Sequence, residues 1–491
     1  MRKINKYTYL WASIPFIILF LFRYFTIDSG VSSIELKTVC LYLLLLYLIS
    51  GYVWISTTKR TFSPFSLFLI MCFIFNSGQL ILYLFDIEIQ NWYVIVKHYN
   101  IDTIIKMIYF QSLCVIAMTS GALLAYDKKV KYCFDNFHPF QNAKSRWNKL
   151  NHLDIIFYII SIITIGYNLM RLLLRSQYGY MNQELETNDS SLISLLEYIF
   201  FILFYYQMSR NPKGGKNKIA LIIGVIFTLI KVLYGKRNYL LYIGGGIVFV
   251  YLYIYKKNKK IKKWQVLLGI MVALVGFSAM RGLTLLRNYS LTDINFQLIE
   301  EVYSGGILNG LYGTLAEFGK SANCLLTTMQ SFFDGRVTHA GTIPYALILG
   351  FVPSKVTAIF IDSPVSETLS IWVTGAIGAA NEQGFSLFAE AFYNFDIWGF
   401  LFLFAFGYII VKLEYLIMKN INSKYFTKRI YACSILYLTV YSAFLARGEL
   451  RLISTPIRRC FYIWIIMTLL SSRRTDRERK KYEEKNSFYN S

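Results

Sequence analysis

One segment of the chain combines acidic and polar side chains at a regular spacing with many aromatic residues. Within residues 381–396, the polar positions Glu382, Ser386, Glu390 and Asn394 recur every four residues. In an α-helix each such step turns by about 400°, so the four side chains spread over about 120° of one face. A carboxylate held among aromatic side chains is costly, which makes Glu390 a candidate for substrate contact or general-base catalysis. The pattern leaves two other roles open: an ion pair that fastens helices together, and simple exposure.

A second group of candidate residues is basic and lies at the ends of apolar segments. Its members are Lys236, Arg237, Arg281, Arg447 and Arg451. A guanidinium group forms bidentate hydrogen bonds to phosphate and keeps its charge when partly buried. Several such cations converging at the outer face of a membrane would suit a lipid-linked diphosphate. Taken singly, each also fits the usual snorkelling of a basic side chain toward lipid headgroups.

Histidine, cysteine and glycine patterns offer no metal site and no cofactor site. No two of the four histidines have the spacing of metal ligands. The seven cysteines include no Cys-x-x-Cys pair. Gly244–Gly246 lies inside an apolar run and lacks the following Lys-Ser/Thr of a phosphate-binding loop. We therefore predict no protein-bound metal and no cofactor.

The composition indicates that these residues are carried by membrane-spanning helices. Of 491 residues, 55% are hydrophobic and 16% are charged, whereas a soluble protein has about 25% charged residues. The mean hydropathy is +0.43. The net charge of +23 comes from basic residues between apolar segments, which the positive-inside rule explains without nucleic acid. We predict an all-α, polytopic integral membrane protein that forms a single domain over residues 1–491.

Apolar runs long enough to cross a bilayer predict about twelve transmembrane helices. The predicted spans are residues 7–25, 38–56, 64–85, 104–125, 154–174, 191–209, 218–234, 239–255, 264–283, 396–414, 429–446 and 457–471. The least regular pair flanks Lys236 and Arg237, where two short helices are predicted to meet in a tight hairpin.

Loop charges predict the orientation of these spans. Basic residues concentrate in every second connection and at both ends of the chain. The basic connections are 59–60, 128–149, 210–216, 256–263 and 412–429. They all fall on one side of the membrane, so that side, both termini and the basic tail 472–491 are predicted to be cytoplasmic.

The outer side is then predicted to hold residues 282–396, the longest connection in the chain. Long loops without secondary structure are uncommon and usually functional. This one contains two apolar stretches, Thr342–Phe360 and Leu369–Ala380. Neither is a convincing full span, so we predict amphipathic or re-entrant helices at the outer membrane face.

Two short segments and the overall arrangement carry a resemblance to a known family. Tyr234–Leu241 reads YGKRNYLL, and Gly384–Phe395 reads GFSLFAEAFYNF. With many spans and a long outer segment before the last few, the chain resembles the Wzy-type polymerases of bacterial O-antigen and capsule repeat units. The first segment is similar to the family's outer hairpin with its Gly-x-Arg. The second is similar to the Glu-Ala-Tyr-x-Asn-Phe stretch that ends the long loop.

The resemblance implies glycosyl transfer at the outer face of the bacterial cytoplasmic (inner) membrane. A growing chain on undecaprenyl diphosphate would pass to the non-reducing end of a newly flipped repeat unit. Glu390 would act as general base or acceptor contact, with Glu382 as the second candidate. The residues expected to bind substrate or diphosphate, without a metal, are Arg237, Arg281, Arg447, Lys236, Arg451 and Asn394. A chain-length regulator and a flippase would be membrane partners.

Two other functions share parts of this pattern. An O-antigen ligase has the same architecture and lipid donor but transfers the chain to lipid A core. A repeat-unit flippase is a transporter, and flippases usually have short loops and a polar central cavity. The long segment 282–396 therefore argues against a flippase.

Overall fold

In the computed structural model, the described part of the chain is mostly α-helical. The structure describes residues 6–27, 33–88, 95–137, 152–178, 191–209, 215–234, 236, 238–250, 264, 271, 275–276, 297, 306–336, 341–349, 351–352, 356, 368–378, 384–423 and 425–489. These residues contain no β-strand. The all-α class predicted from the sequence is therefore found throughout the described ranges.

The helices are named here in chain order. The first eight that are longer than four residues are α1 (Lys6–Thr26), α2 (Ser33–Thr58), α3 (Pro64–Leu84), α4 (Ile101–Ala125), α5 (Lys128–Asp135), α6 (His152–Tyr178), α7 (Ser191–Met208) and α8 (Gly215–Leu233). A single helical turn, Ile95–His98, precedes α4. A π-helix follows at Leu240–Gly245. The later helices are α9 (Gly306–Phe318), α10 (Ser321–Phe333), α11 (Thr342–Leu349), α12 (Leu369–Ile377), α13 (Leu387–Phe395), α14 (Gly399–Asn420), α15 (Phe426–Ser442) and α16 (Leu450–Tyr489).

Eight stretches of the described chain are long and apolar enough to cross a membrane. They are α1, α2, α3, α4, most of α6, the stretch Leu387–Asn420, the stretch Phe426–Arg447 and the first half of α16. The chain is therefore a multi-pass membrane protein. The predicted total of about twelve spans stays a prediction, because most of the predicted span 264–283 lies outside the described residues.

Helix α4 is the centre of the bundle, and α14 crosses it at very short range. In the apolar window of α4, 94% of the residues are buried, against 17% in α1. Gly121 of α4 faces the α14 backbone: a Cβ atom added there would lie 2.0 Å from the Phe404 carbonyl oxygen. At Gly407 of α14, an added Cβ would lie 2.1 Å from the Met118 carbonyl oxygen. Small residues on both helices thus allow the two backbones to touch, as is common in membrane helix packing.

Charged residues near the end of α14 meet charged residues from two separate connections at one end of the bundle. Arg60 Nη1 lies 3.1 Å from Glu414 Oε1, and both side chains are buried. Lys412 Nζ lies 2.8 Å from Asp127 Oδ2. Burial lowers the pKa of the Arg60 guanidinium to about 10, which still leaves it charged at neutral pH. The connections that were predicted to share the cytoplasmic side are therefore neighbours in the fold.

The predicted long connection contains more helices than the sequence indicated. Helices α11 and α12 fall in its two apolar stretches, whereas α9 and α10 were not predicted. Helix α9 packs on α3 through a glycine contact like that of α4 and α14. A Cβ added at Gly78 would lie 2.5 Å from the Leu315 carbonyl oxygen, and one added at Gly319 would lie 2.5 Å from the Gln79 amide nitrogen.

Candidate functional site

The candidate site begins with the short helix α13, which carries two of the predicted polar residues. Ser386 caps its N-terminus: the hydroxyl oxygen accepts a hydrogen bond from the Ala389 amide at 3.1 Å. Glu390 and Asn394 follow at helical spacing, and the Asn394 side chain donates to the Glu390 carbonyl at 2.8 Å. The polar face predicted from the four-residue repeat is therefore present over Ser386–Asn394. Glu382 lies outside the described residues.

The Glu390 carboxylate is buried, and its hydrogen-bond donors come from two distant parts of the chain. Oε2 accepts a hydrogen bond from the Leu450 amide at 2.6 Å. Oε1 accepts one from the Thr342 hydroxyl at 3.4 Å, which is long for an O–H···O bond. No described arginine forms an ion pair with Glu390. Oε2 is thus held by a short hydrogen bond, while Oε1 has a long contact and can accept a further hydrogen bond.

Asn394 completes a small network around Thr342. Its amide nitrogen donates to the Thr342 hydroxyl at 2.7 Å, and its amide oxygen accepts from the Ile343 amide at 3.3 Å. Thr342 and Ile343 begin helix α11. The network therefore ties the first turn of α11 to α13 and aims the Thr342 hydroxyl at Glu390.

A second buried carboxylate, Glu449, was not identified from the sequence. Its Oε2 accepts a hydrogen bond from the Leu369 amide at 2.8 Å, at the start of α12. Glu390 likewise binds the first amide of α16. Free amides and the helix dipole make a helix N-terminus a favourable place for a carboxylate. The signal in the sequence is an acidic residue between two basic ones, Arg447 and Arg451.

Arg447 lies two residues before Glu449, and its guanidinium group packs on two aromatic rings. Its guanidinium carbon is 5.8 Å from the centroid of the Phe75 ring and 6.0 Å from that of Phe318. These distances suit cation–π contacts. Gly384 also lies close to this side chain, since a Cβ added there would lie 3.0 Å from the Arg447 Cγ and Nε atoms. The half-buried cation therefore contacts both the aromatic rings and the Gly384 backbone.

The nearby thiol is unsuited to nucleophilic chemistry. Cys324 of α10 donates from Sγ to the Gly384 carbonyl at 3.0 Å. Burial raises the pKa of this thiol to about 12, so the reactive thiolate is scarce at neutral pH. Cys324 therefore supports the Gly384 backbone rather than reacting.

Two basic residues that follow Arg447 in the chain, Arg451 and Arg458, lie in different environments. Arg451 lies 5.9 Å from the Tyr345 ring of α11. Arg458 Nη1 donates to the Leu349 and Val352 carbonyls at 3.0 Å each, which satisfies carbonyl groups at the C-terminal end of α11. Arg451 directly follows Leu450, whose amide binds Glu390, while Arg458 has a structural partner.

Lys236 belongs to a second cationic cluster. Its Nζ lies 5.6 Å from the centroid of the Tyr234 ring, and the Arg171 guanidinium carbon lies 5.4 Å from the same centroid. The chain turns here, since the Lys236 amide donates to the Lys231 carbonyl at 2.8 Å and the Tyr239 ring lies 5.8 Å from the Phe227 ring of α8. The predicted hairpin of two short helices stays a prediction. Arg237 and Arg281 lie outside the described residues.

The fold thus brings four of the predicted site residues to one place. Glu390 and Asn394 lie on α13, and Arg447 and Arg451 flank the Leu450 amide that binds Glu390. Within the described ranges, no three His, Cys, Asp or Glu side chains are grouped in a way that would hold a metal ion. The arrangement provides a carboxylate that could accept a proton and cations that could bind a phosphate.

The comparisons with known proteins agree with this picture at the level of the family. The family model of the O-antigen polysaccharide polymerase Wzy matches residues 13–475, nearly the whole chain. No curated protein and no solved structure matches the chain.

Proposed function

Since the chain belongs to the O-antigen polysaccharide polymerase Wzy family, we propose that it joins repeat units carried on undecaprenyl diphosphate into O-antigen or capsular polysaccharide. The transfer takes place at the outer face of the bacterial inner membrane, with both termini in the cytoplasm. A hydroxyl oxygen at the non-reducing end of the acceptor repeat unit forms a bond to the anomeric carbon of the donor chain. The bond from that carbon to the diphosphate oxygen breaks, and undecaprenyl diphosphate leaves with the electron pair.

In this proposal Glu390 takes the proton of the attacking hydroxyl. The observation that carries the assignment is its position: a buried carboxylate whose Oε2 is fixed by the Leu450 amide at 2.6 Å. Fixing one oxygen orients the other, and Oε1 has its weaker contact with Thr342 at 3.4 Å. A hydroxyl of the acceptor sugar can replace that contact. Asn394 orients Thr342, and Glu382 remains the second candidate for the base.

The cations act on the leaving group. Negative charge grows on the diphosphate as the glycosidic bond breaks, and a fixed guanidinium stabilises that charge without a metal ion. Arg447 is best placed for this role, because it is half-buried and precedes by three residues the Leu450 amide that binds Glu390. We assign Arg451 and Lys236, together with Arg237 and Arg281, to the diphosphate or the adjacent sugars.

The proposal is tested with the purified full chain in lipid vesicles that contain a single repeat unit on undecaprenyl diphosphate. We expect a ladder of products on the lipid carrier, and we expect EDTA to leave the ladder unchanged. Adding lipid A core separates the alternatives. Transfer to the core without a ladder on the carrier would identify a ligase, and transbilayer movement without new glycosidic bonds would identify a flippase.

Two substitutions at Arg447 should separate the contribution of its charge from that of its bidentate hydrogen bonding. We expect Arg447→Ala to lower the polymerisation rate by about a hundredfold to a thousandfold, the range for removing one fixed donor from a developing oxyanion. Arg447→Lys should keep the charge but lose bidentate binding, and so fall between Ala and the native protein. Single-turnover rates at saturating donor measure both effects.

Arg429 provides the matched control for Arg447. It lies near the start of α15, with its guanidinium carbon 5.6 Å from the Tyr206 ring. Arg447 follows the other end of the same helix, so the two are similar cation–aromatic contacts far apart. Arg429→Ala should change the rate per folded molecule by less than about threefold, about 0.6 kcal/mol. Equal losses for the two alanine variants would contradict the role given to Arg447.

A further inference from the structure

Two amide side chains of α3 lie inside a membrane span, outside the site described above. Asn76 and Gln79 are 1% and 7% exposed, within a helix that is long and apolar enough to cross a bilayer. Polar side chains inside a span are costly, and they usually face the interior of the bundle and serve a function. The groups that these two amides hold therefore indicate what they do.

Each amide donates to a backbone carbonyl of a distant segment. Asn76 Nδ2 donates to the Ala446 carbonyl at 3.0 Å, and Gln79 Nε2 donates to the Ala316 carbonyl at 2.9 Å. Ala446 and Ala316 lie in the last turns of two helical segments, the 3₁₀-helix Ala443–Arg447 and α9. Carbonyl groups in the last turn of a helix have no partner within it. The amides of α3 thus supply donors at the ends of both segments.

The two segments meet on a ring that α3 itself provides. Arg447 directly follows Ala446, and Phe318 ends α9 two residues after Ala316. The Phe318 ring lies 5.0 Å from the Phe75 ring of α3, and the Arg447 guanidinium packs on both rings. One helix therefore carries a ring beside Arg447 and the amides that hold the segments of Arg447 and Phe318 at that ring.

Helix α3 is itself anchored to the central helix of the bundle. The buried Gln111 of α4 donates from Nε2 to the Asn76 backbone carbonyl at 3.1 Å. The glycine contact of α3 with α9 already packs those two helices together, and hydrogen bonds of defined length and direction add a fixed register to that packing. A displacement of either held carbonyl would therefore move Arg447 or the ring beside it.

We propose that Asn76 and Gln79 are positioning residues, which fix the Arg447 guanidinium at the diphosphate of the donor. They act through the backbone of Ala446 and Ala316 and do not themselves bind the substrate. The inference rests on the proposed polymerase function and extends it to two residues of a helix that carries none of the site residues predicted from the sequence.

The first test asks whether Asn76 acts through Arg447. Asn76→Leu, which removes the amide donor and keeps a similar volume, is made in the native chain and in an Arg447→Ala background. We expect the single-turnover rate per folded molecule to fall about tenfold in the native chain and less than about twofold in the background, because residues that act as one unit give non-additive losses. Equal losses in both backgrounds would show a structural role and overturn the inference.

Gln79→Leu tests the same proposal if Asn76→Leu is too unstable to purify. We expect a smaller loss of rate, because Phe318 is one of two rings beside the guanidinium. This loss should also disappear in the Arg447→Ala background, and a loss that persists there would overturn the role of Gln79.

Asn217 provides the matched control. It is also a buried amide that holds the end of another helix, since its Nδ2 donates to the Met208 carbonyl at 3.1 Å. It lies beside the basic connection 210–216, which is predicted to be cytoplasmic. Asn217→Leu should lower the melting temperature in detergent, as Asn76→Leu does, and leave the rate per folded molecule unchanged. Equal loss of rate in the two variants would contradict positioning.

Binding of radiolabelled undecaprenyl diphosphate to the purified chain separates this inference from the proposed function. We expect Asn76→Leu to weaken binding about tenfold, because the leaving group keeps the diphosphate charge that Arg447 binds. Unchanged binding would overturn the inference even if the rate falls. A native chain that binds the lipid diphosphate but forms no ladder would instead refute the polymerase function, so the two failures are distinguishable.

Discussion

Replacing Glu390 with glutamine is expected to stop chain extension and to leave single repeat units on the lipid anchor. A general base contributes about a hundredfold to ten-thousandfold to a rate, so kcat should fall at least about a hundredfold. The glutamine side chain has nearly the same shape, and its amide oxygen can still accept the hydrogen bond that the Leu450 amide donates at 2.6 Å. Product ladders from vesicles, normalised to folded protein, measure the effect.

The glutamine variant is more informative than Glu390→Ala. Alanine would also stop extension, but it leaves the Leu450 amide unpaired in a buried position, at a cost of about 1–3 kcal/mol in stability. Glutamine removes the proton acceptor and keeps the hydrogen bond from the Leu450 amide. A full ladder from Glu390→Gln would show that Glu390 only fastens α16 to α13.

Glu414 is the matched control for Glu390. It is also a fully buried carboxylate, but it lies near the far end of α14, where it pairs with Arg60 at 3.1 Å. Glu414→Gln should reduce the amount of folded protein without lowering kcat per folded molecule. Equal loss of kcat in both glutamine variants would indicate a general effect of removing a buried charge.

Replacing Gly121 with leucine is expected to prevent the bundle from assembling. Its first side-chain atom would stand 2.0 Å from the Phe404 carbonyl oxygen, and helix backbone cannot move aside as a flexible side chain can. Overpacking typically costs about 1–3 kcal/mol, and a backbone overlap at the central crossing of α4 and α14 should exceed that range. Fluorescence-detected gel filtration and the melting temperature of any soluble fraction measure the outcome.

Gly166→Leu is the control for the Gly121 substitution. Gly166 lies within α6, another predicted span, and apart from its own helix backbone a Cβ added there meets no atom of the described residues within 4 Å. The control should therefore express and elute like the native protein. Normal assembly of Gly121→Leu would mean that α4 and α14 do not approach each other at this crossing.

The sequence predicted the local features of the site better than its long-range contacts. The polar face of α13 follows from a spacing of four residues, because helix geometry alone places Glu390 and Asn394 on one side. The donors to Glu390 do not follow from any spacing. Leu450 is sixty residues away along the chain and contributes a backbone amide, which has no residue-specific signature. Which helix N-terminus meets a carboxylate depends on the packing of the whole bundle.

The same distinction holds for the helices. Long apolar runs and alternating basic connections predicted α2, α3 and α4, and they placed Arg60 and Lys412 on one side. Helices α9 and α10 were missed, because each has thirteen residues, too few for the run of about 20 that signals a span. The close approach of α9 to α3 at Gly78 and Gly319 is visible only once both helices are packed.

The length of α16 links the Glu390 contact to a part of the same helix that is far from the site. This helix has 40 residues and so extends for about 60 Å, twice the thickness of the hydrocarbon core. Its first amide is the one that holds Glu390 at 2.6 Å, and its apolar part ends at Leu469. We therefore expect the second half to extend beyond the bilayer, in one continuous helix with the Leu450 amide that binds the carboxylate. An axial shift of α16 by about 1 Å would bring that hydrogen bond to its geometric limit, so we expect a force on the tail to act directly on the contact with Glu390.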